Sequence, residues 1–241
     1  MAPPSNIITI YGRNAVYEAL SDTNLKVYAL HLSSSNKASE KIDRMVKIAN
    51  KRDIEIKYHS KERLSFISKN KKQDQGVALD IVLDNFAKAD SFKKLTNYRI
   101  LALDGIENPQ NLGMIIRSAA AGKIDAIVVQ KKGTASLVSP LTIKASVGTL
   151  FKIPIIYTDS LVKTIKEIKV DGCEVINLSL EAEGSLFETK LEERAIFILG
   201  NETRGVSKEL AQLATTSVKI PMQRGVESLN VAVTAGIIAF L

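Results

Sequence analysis

The chain has 241 residues, 45% hydrophobic and 24% charged, enough for a sizeable core in one large or two small folded units. A lone cysteine, Cys173, excludes an intramolecular disulfide framework and suits a reducing compartment; two histidines far apart in sequence, His31 and His59, argue against a protein-built metal site. The net charge of +7 is uneven, since residues 1–83 hold 14 Lys and Arg against 9 Asp and Glu, and this points to a polyanionic partner, nucleic acid first.

The opening MAPPSNIITIYG has no basic region ahead of an apolar stretch, so no secretory signal is expected. GRNAVYEAL (12–20) reads as a short helix and VYALHL (27–32) as a strand. From Asn36 to Asn50 the pattern is helical. Ala38, Ile42, Met45, Val46 and Ala49 share one face; Lys37, Lys41, Arg44, Lys47 and Lys51 share the opposite one, at ~100° per residue. That basic stripe is either a solvated face or a contact to RNA backbone, and the loop lysines Lys69, Lys71 and Lys72 support the second reading. IEIKY (54–58) is a strand, SKERLSFI (60–67) a helix with a serine cap, and GVALDIVL (76–83) a third strand. These residues form a first unit, 1–83, followed by a linker without strong periodicity at 84–97.

From residue 98 onward, strands and helices alternate. RILALD (99–104) is a strand, and Asn111 is a candidate cap for a helix ending near Gly122. DAIVVQ (125–130) is a strand, and Ser139-Pro140 opens a helix to about Val147. KIPIIY (152–157) is a strand; Asp159 or Ser160 caps the helix after it. CEVINLS (173–179) and AIFILG (195–200) are strands, VSKELAQLA (206–214) a helix with Ser207 as cap, and SVKIP (217–221) a strand. The closing run Leu229 to Leu241 is a helix too short to span a membrane, with Ser228 or Asn230 as its cap. Such alternation predicts an α/β fold with a parallel sheet covered on both faces.

In open α/β sheets, ligands bind outside the carboxyl ends of the strands. The loops there read LDGIENPQNLG, LGNETRGVS and IPMQRGVESLN. No G-x-G-x-x-G occurs, the glycine pair Gly200 and Gly205 is not followed by Lys-Ser/Thr, and no G-x-S-x-G is present. A standard dinucleotide fold, a P-loop NTPase and a serine hydrolase are all disfavoured. Glycines and a cap explain part of these loops. They leave Asn201-Glu202-Thr203-Arg204 and the Glu227, Ser228, Asn230 group unexplained, and these are short polar groups suited to hydrogen-bonding a ribose or an amino-acid moiety.

Three blocks in this order, NPQNLGMIIR, LGNETRGV and IPMQRGVESLNVAV, resemble the SpoU (TrmH-type) RNA 2′-O-ribose methyltransferases of the SPOUT superfamily. YGRNAVYEAL and QGVALDIV in the first unit are similar to the small substrate-binding domain of that family, itself like ribosomal protein L30e. Asp74 stands where relatives often have His, which argues against the usual RNA contact by this loop. The resemblance implies a deep C-terminal trefoil knot in residues 98–241, against the general rarity of knots. It also implies a homodimer with a shared active site, cytoplasmic and with no membrane partner. The implied reaction is methyl transfer from S-adenosylmethionine to a ribose 2′-hydroxyl, leaving S-adenosylhomocysteine and needing no metal. By the same resemblance Arg117, Asn111, Glu202, Ser228 and Asn230 are the catalytic set, and Gly200, Ile220, Met222 and Leu229 bind the cofactor. A guanosine of large-subunit rRNA is the leading substrate. A tRNA ribose is the alternative, and a non-catalytic RNA-binding factor on the same fold is the rival reading.

Overall fold

The computed structural model describes residues 7–69, 74–82, 86–170 and 172–241. Lys71 and Lys72, Leu83 and the start of the expected linker lie outside the described residues. The N-terminal unit runs β1 (Ile7–Tyr11), α1 (Arg13–Ser21), β2 (Lys26–Ser33), α2 (Glu40–Lys51), β3 (Glu55–His59), α3 (Lys61–Ser68) and β4 (Val77–Val82). Its four-stranded sheet has the order β1-β4-β2-β3, antiparallel except where β2 meets β3. One face carries Ile10, Leu30, Leu32, Leu79 and Ile81 against Val16, Leu20, Met45 and Ala49 of α1 and α2.

Alternation puts Thr9, His31 and Asp80 on the opposite face. The two histidines, distant in sequence, meet on this face. His31 and His59 are neighbours, with Nδ1 of His31 2.9 Å from Nε2 of His59, because the β2–β3 register sets Ser33 opposite His59. Nε2 of His31 lies 3.0 Å from Asp80 Oδ2, and Thr9 donates to Asp80 Oδ1 at 2.6 Å. The four groups bond in series and do not converge on one point. Among the described residues no cluster of His, Cys, Asp and Glu could hold a metal ion.

α2 starts at Glu40 rather than near Asn36, because Ser39 caps it by accepting from Ile42 N. The basic stripe is also divided. Lys41 donates to Asn14 and sits over the Tyr17 ring, and Arg44 pairs with Glu40, leaving Lys37, Lys47 and Lys51 outside those contacts. Asp74 is buried. It accepts from Gly76 N and from the hydroxyls of Ser65 and Ser68, so it ties α3 to the turn before β4.

The second unit comprises β5 (Tyr98–Leu103), α4 (Pro109–Ala121), β6 (Ala126–Gln130), α5 (Pro140–Ser146), β7 (Ile155–Thr158), α6 (Leu161–Ile168), β8 (Cys173–Leu178), β9 (Gly184–Ser185), β10 (Arg194–Leu199), α7 (Lys208–Ala211), β11 (Thr216–Lys219) and α8 (Val231–Ala239). Its seven strands are all parallel, in the order β7-β6-β5-β10-β8-β11-β9. Side chains alternate along each strand. Leu101, Leu103, Val129, Phe197 and Val218 pack on α4, α5 and α8, whereas Ile100, Val128, Val175 and Ile198 pack on α6 and α7. Cys173 is buried in this second layer, and burial pushes its thiol pKa up, as expected of a packing cysteine.

Residues 89–94 of the expected linker form a 3-10 turn against the second sheet. Phe92 meets Tyr98 edge to face, and Phe86 bridges to Ile155. α7 is far shorter than its composition suggests, and Ser207 makes no side-chain cap bond; its amide donates instead to Asp104 Oδ2 at 2.7 Å. Among the described residues no helix is long and apolar enough to cross a membrane.

Candidate active site

Three strands adjacent in the sheet, β10, β8 and β11, end at one cleft of about 370 Å³. Their last residues Leu199, Leu178 and Lys219 line it. A cleft beyond the carboxyl ends of parallel strands is where an α/β sheet presents its loops to a ligand. The volume lies within the roughly 300–1,000 Å³ of small-molecule sites.

The loop after β10 is held by Asn201. Its backbone bonds Gly205 in both directions, at 3.1 and 2.9 Å. Its Oδ1 accepts from Thr203 N and Arg204 N, and its Nδ2 donates to Gly105 O at 2.8 Å. Gly200 is required by the close return of this loop, because a Cβ there would lie 2.2 Å from Gly205 C and 2.3 Å from Val206 N. Arg204 pairs with Glu107 across to the loop before α4.

Asn111 is not the cap of α4. Asn108 is, accepting from Gln110 N at 2.8 Å and Asn111 N at 3.3 Å, with Pro109 in the first turn. Asn111 therefore sits inside the helix and is buried. Its Nδ2 donates to Glu202 Oε1, and its Oδ1 accepts from Asn230 Nδ2 at 3.3 Å. Asn230, not Ser228, caps α8, accepting from Ala232 N at 2.8 Å. The chain Glu202–Asn111–Asn230 thus joins the first turn of α4 to the loop after β10, 91 residues on, and to the start of α8, 119 residues on.

Gly200, Ile220, Met222 and Leu229 all line the cleft, with Glu202 and Ser228. The cleft also contains Ser179 and Leu180, the loop after β8, which the sequence reading passed over. The strand-end rule that singled out the other loops would have found it. Arg117 does not line the cleft. It stands exposed on the outward stripe of α4, one turn from Met114, and Leu112, Ile115, Ile116 and Ala119 face inward. On the adjacent α8 Val233 is exposed too, as is Phe240 just after it.

The fold and cleft define a two-unit α/β protein with an open cleft at the carboxyl edge of a parallel sheet. The chain belongs to the SpoU rRNA methylase family, whose model matches residues 98–240, and a model for RNA 2′-O ribose methyltransferase substrate binding matches residues 9–86. It is 29% identical to the 23S rRNA (guanosine-2′-O-)-methyltransferase RlmB of Neisseria meningitidis serogroup B, over 95% of this chain and 92% of that protein. An AdoMet-bound rRNA methyltransferase from Sinorhizobium meliloti shares the fold, with a TM-score of 0.69 at 23% identity over 98% of this chain and 86% of that one. A structure reported as giving insight into 2-OH methylation of C/U34 on tRNA is 31% identical. It covers 58% of this chain and 91% of its own, with a TM-score of 0.52.

Proposed function

We propose that this protein methylates a ribose 2′-hydroxyl of RNA with S-adenosylmethionine as donor, and that its substrate is a guanosine of large-subunit rRNA. The observation that carries the reading is the convergence of Gly200, Ile220, Met222 and Leu229 on one cleft beside the Glu202–Asn111–Asn230 chain. The cleft suits the donor in kind. Leucine and isoleucine side chains offer an aliphatic lining, and the backbone of the Gly200–Gly205 loop offers polar groups. S-adenosylmethionine, when bound, supplies an already activated methyl group.

The protein's part is then to position the hydroxyl and favour its oxygen as nucleophile. A guanidinium is effectively always protonated and makes a poor base. Arg117 serves instead as a planar donor to the developing alkoxide, with a phosphate oxygen or water accepting the proton. Because Arg117 is exposed and does not line its own cleft, we assign the active site to a homodimer in which it reaches the cleft of the other copy. The exposed Met114, Val233 and Phe240 beside it supply an apolar patch for that contact.

The SpoU domain at 98–241 and the RNA-binding unit at 1–83 are assigned on the same basis, as is a trefoil knot near the C-terminus. In support of the knot, α8 returns to pack on α4. Lys123 N donates to Ala239 O, and Arg99 donates to Leu241 O at 2.8 Å. The buried cysteine and an RNA substrate suit the cytoplasm.

The test is incubation of the protein and S-adenosylmethionine with rRNA and tRNA from a strain lacking it, followed by mapping of 2′-O-methyls. A new methyl on large-subunit guanosine is the expected result. A methyl on tRNA alone replaces the substrate assignment and keeps the chemistry. No heat on titration with S-adenosylmethionine, with RNA binding retained, would establish the non-catalytic reading.

A further inference from the structure

A second cleft, of about 840 Å³, lies in the N-terminal unit between α2 and the outer strand β3. Its floor is apolar, made by Leu32, Ile42 and Val46. Tyr58 forms one wall and is 64% exposed, so its ring is open to a ligand. Lys37 and Lys47 stand on its rim, and neither is ion-paired or hydrogen-bonded to another described residue. One acid, Asp43, shares the lining, so the rim stays net positive. Of the basic residues within α2, Lys41 is engaged with Asn14 and Tyr17 and Arg44 with Glu40, while Lys51, at the helix end, is not part of the cleft lining. Lys37, just before α2, and Lys47, within it, are the unpaired cations that share the cleft with the exposed ring.

An open aromatic face flanked by free ammonium groups matches the chemistry of a single-stranded nucleotide, whose base stacks and whose phosphates are neutralised. A regular duplex keeps its bases inside and presents no free ring to Tyr58. We infer that this cleft binds one unpaired nucleotide of the RNA substrate, with its base on Tyr58 and flanking phosphates on Lys37 and Lys47. The inference rests on the proposed RNA-directed activity and adds a strand preference and a subsite remote from the methyl-transfer cleft.

The full chain is titrated with fluorescein-labelled single-stranded U12 and with a duplex of equal length. Tyr58→Ala is expected to weaken U12 binding about tenfold, and Tyr58→Phe to leave it unchanged. Lys37→Ala with Lys47→Ala is expected to lower the magnitude of the log K against log salt slope by about 1.4. Ultraviolet cross-linking is expected to mark the peptide holding Tyr58. Unchanged heat with S-adenosylmethionine shows that each variant is folded. Wild-type-like U12 binding by Tyr58→Ala and by the lysine pair overturns the inference and leaves the methyltransferase reading standing. Equal affinity for duplex and single strand overturns it as well. Failure of the wild type both to bind RNA and to transfer methyl removes the two readings together.

Discussion

Asn111 of α4 donates its side-chain amide to Glu202, 91 residues away in the loop after β10. The same side chain accepts from Asn230 at the start of α8, so one buried amide ties α4 to the loop after β10 and to the N-terminus of α8. An asparagine suits this place because it donates to a carboxylate and accepts from an amide at once. An aspartate has no donor when ionised and would set two carboxylates against each other.

Asn111→Asp is therefore expected to lower stability more than Asn111→Ala at neutral pH. The extra deficit should shrink as pH falls and one carboxyl takes a proton. Thermal melts at about pH 7.5 and about pH 4.5 check this. An equal effect of the two substitutions at both pH values would reduce Asn111 to a packing residue.

Arg117→Ala is expected to abolish turnover and leave the heat of S-adenosylmethionine binding intact, because its proposed partner is the ribose oxygen and not the donor. A shared site adds a stricter expectation. Mixing Arg117→Ala chains with Asn230→Ala chains should restore about a quarter of wild-type activity. Half of the randomly formed dimers are mixed, and each of these holds one complete site. Continued inactivity of well-exchanged mixtures would show that each chain works on its own residues.

Much of this was legible in the sequence where period and burial agree. The strands β5, β6 and β10 are runs of apolar residues and could be placed within a residue or two. Gly200, Ile220, Met222 and Leu229 could be grouped only through the family resemblance, and the fold brings them to one cleft. Long-range pairing was not legible. β1 pairs only with β4 across most of the N-terminal unit, and the two-residue β9 carries no pattern at all. His31 and His59 meet through strand register, which spacing along the chain does not reveal. The cap of α4 was within reach, since Pro109 marks the first turn and points to Asn108. VSKELAQLA has helical composition, yet the loop before it is anchored by Asp104, and only Lys208–Ala211 close a helix.

The His59–His31–Asp80 series gives a pH dependence whose sign can be worked out. The His59 pKa is held below its ordinary 6.5, first by burial and then by the charges of His31, Arg63 and Lys57. The unfolded chain therefore takes that proton first, and stability present above 6.5 is lost as pH falls towards the folded-state value. For Asp80, burial acts upward, but hydrogen bonds from His31 and Thr9 outweigh it, and the net direction is below 3.8. Its contribution is present above that value and lost as pH falls through the folded pKa. Both groups act with one sign. The melting temperature should fall between about pH 7.5 and about pH 5.5, and His59→Gln should flatten that limb. An unchanged slope in His59→Gln would assign the acid sensitivity elsewhere.

The two glycines of the loop after β10 separate close approach from backbone handedness. Gly205 has φ +66°, and no heavy atom lies within 4 Å of a Cβ built on it. Gly205→Ala should cost about 1–2 kcal/mol for the left-handed conformation, roughly 2–4 °C per kcal/mol in a chain of this size, with little effect on the cleft. At Gly200 the obstacle is the backbone of Gly205 and Val206, at 2.2 and 2.3 Å, and backbone cannot rotate aside as a side chain can. The loop must open, carrying with it the Asn201–Gly205 bonds and the cleft wall formed by Glu202 to Val206. Gly200→Ala is therefore expected to weaken S-adenosylmethionine binding at least tenfold, a loss of about 1.4 kcal/mol, when measured by calorimetry. Gly205→Ala should bind nearly as wild type while melting earlier. If the order is reversed, with Gly205→Ala losing the ligand and Gly200→Ala keeping it, the cleft wall does not depend on the close return of this loop.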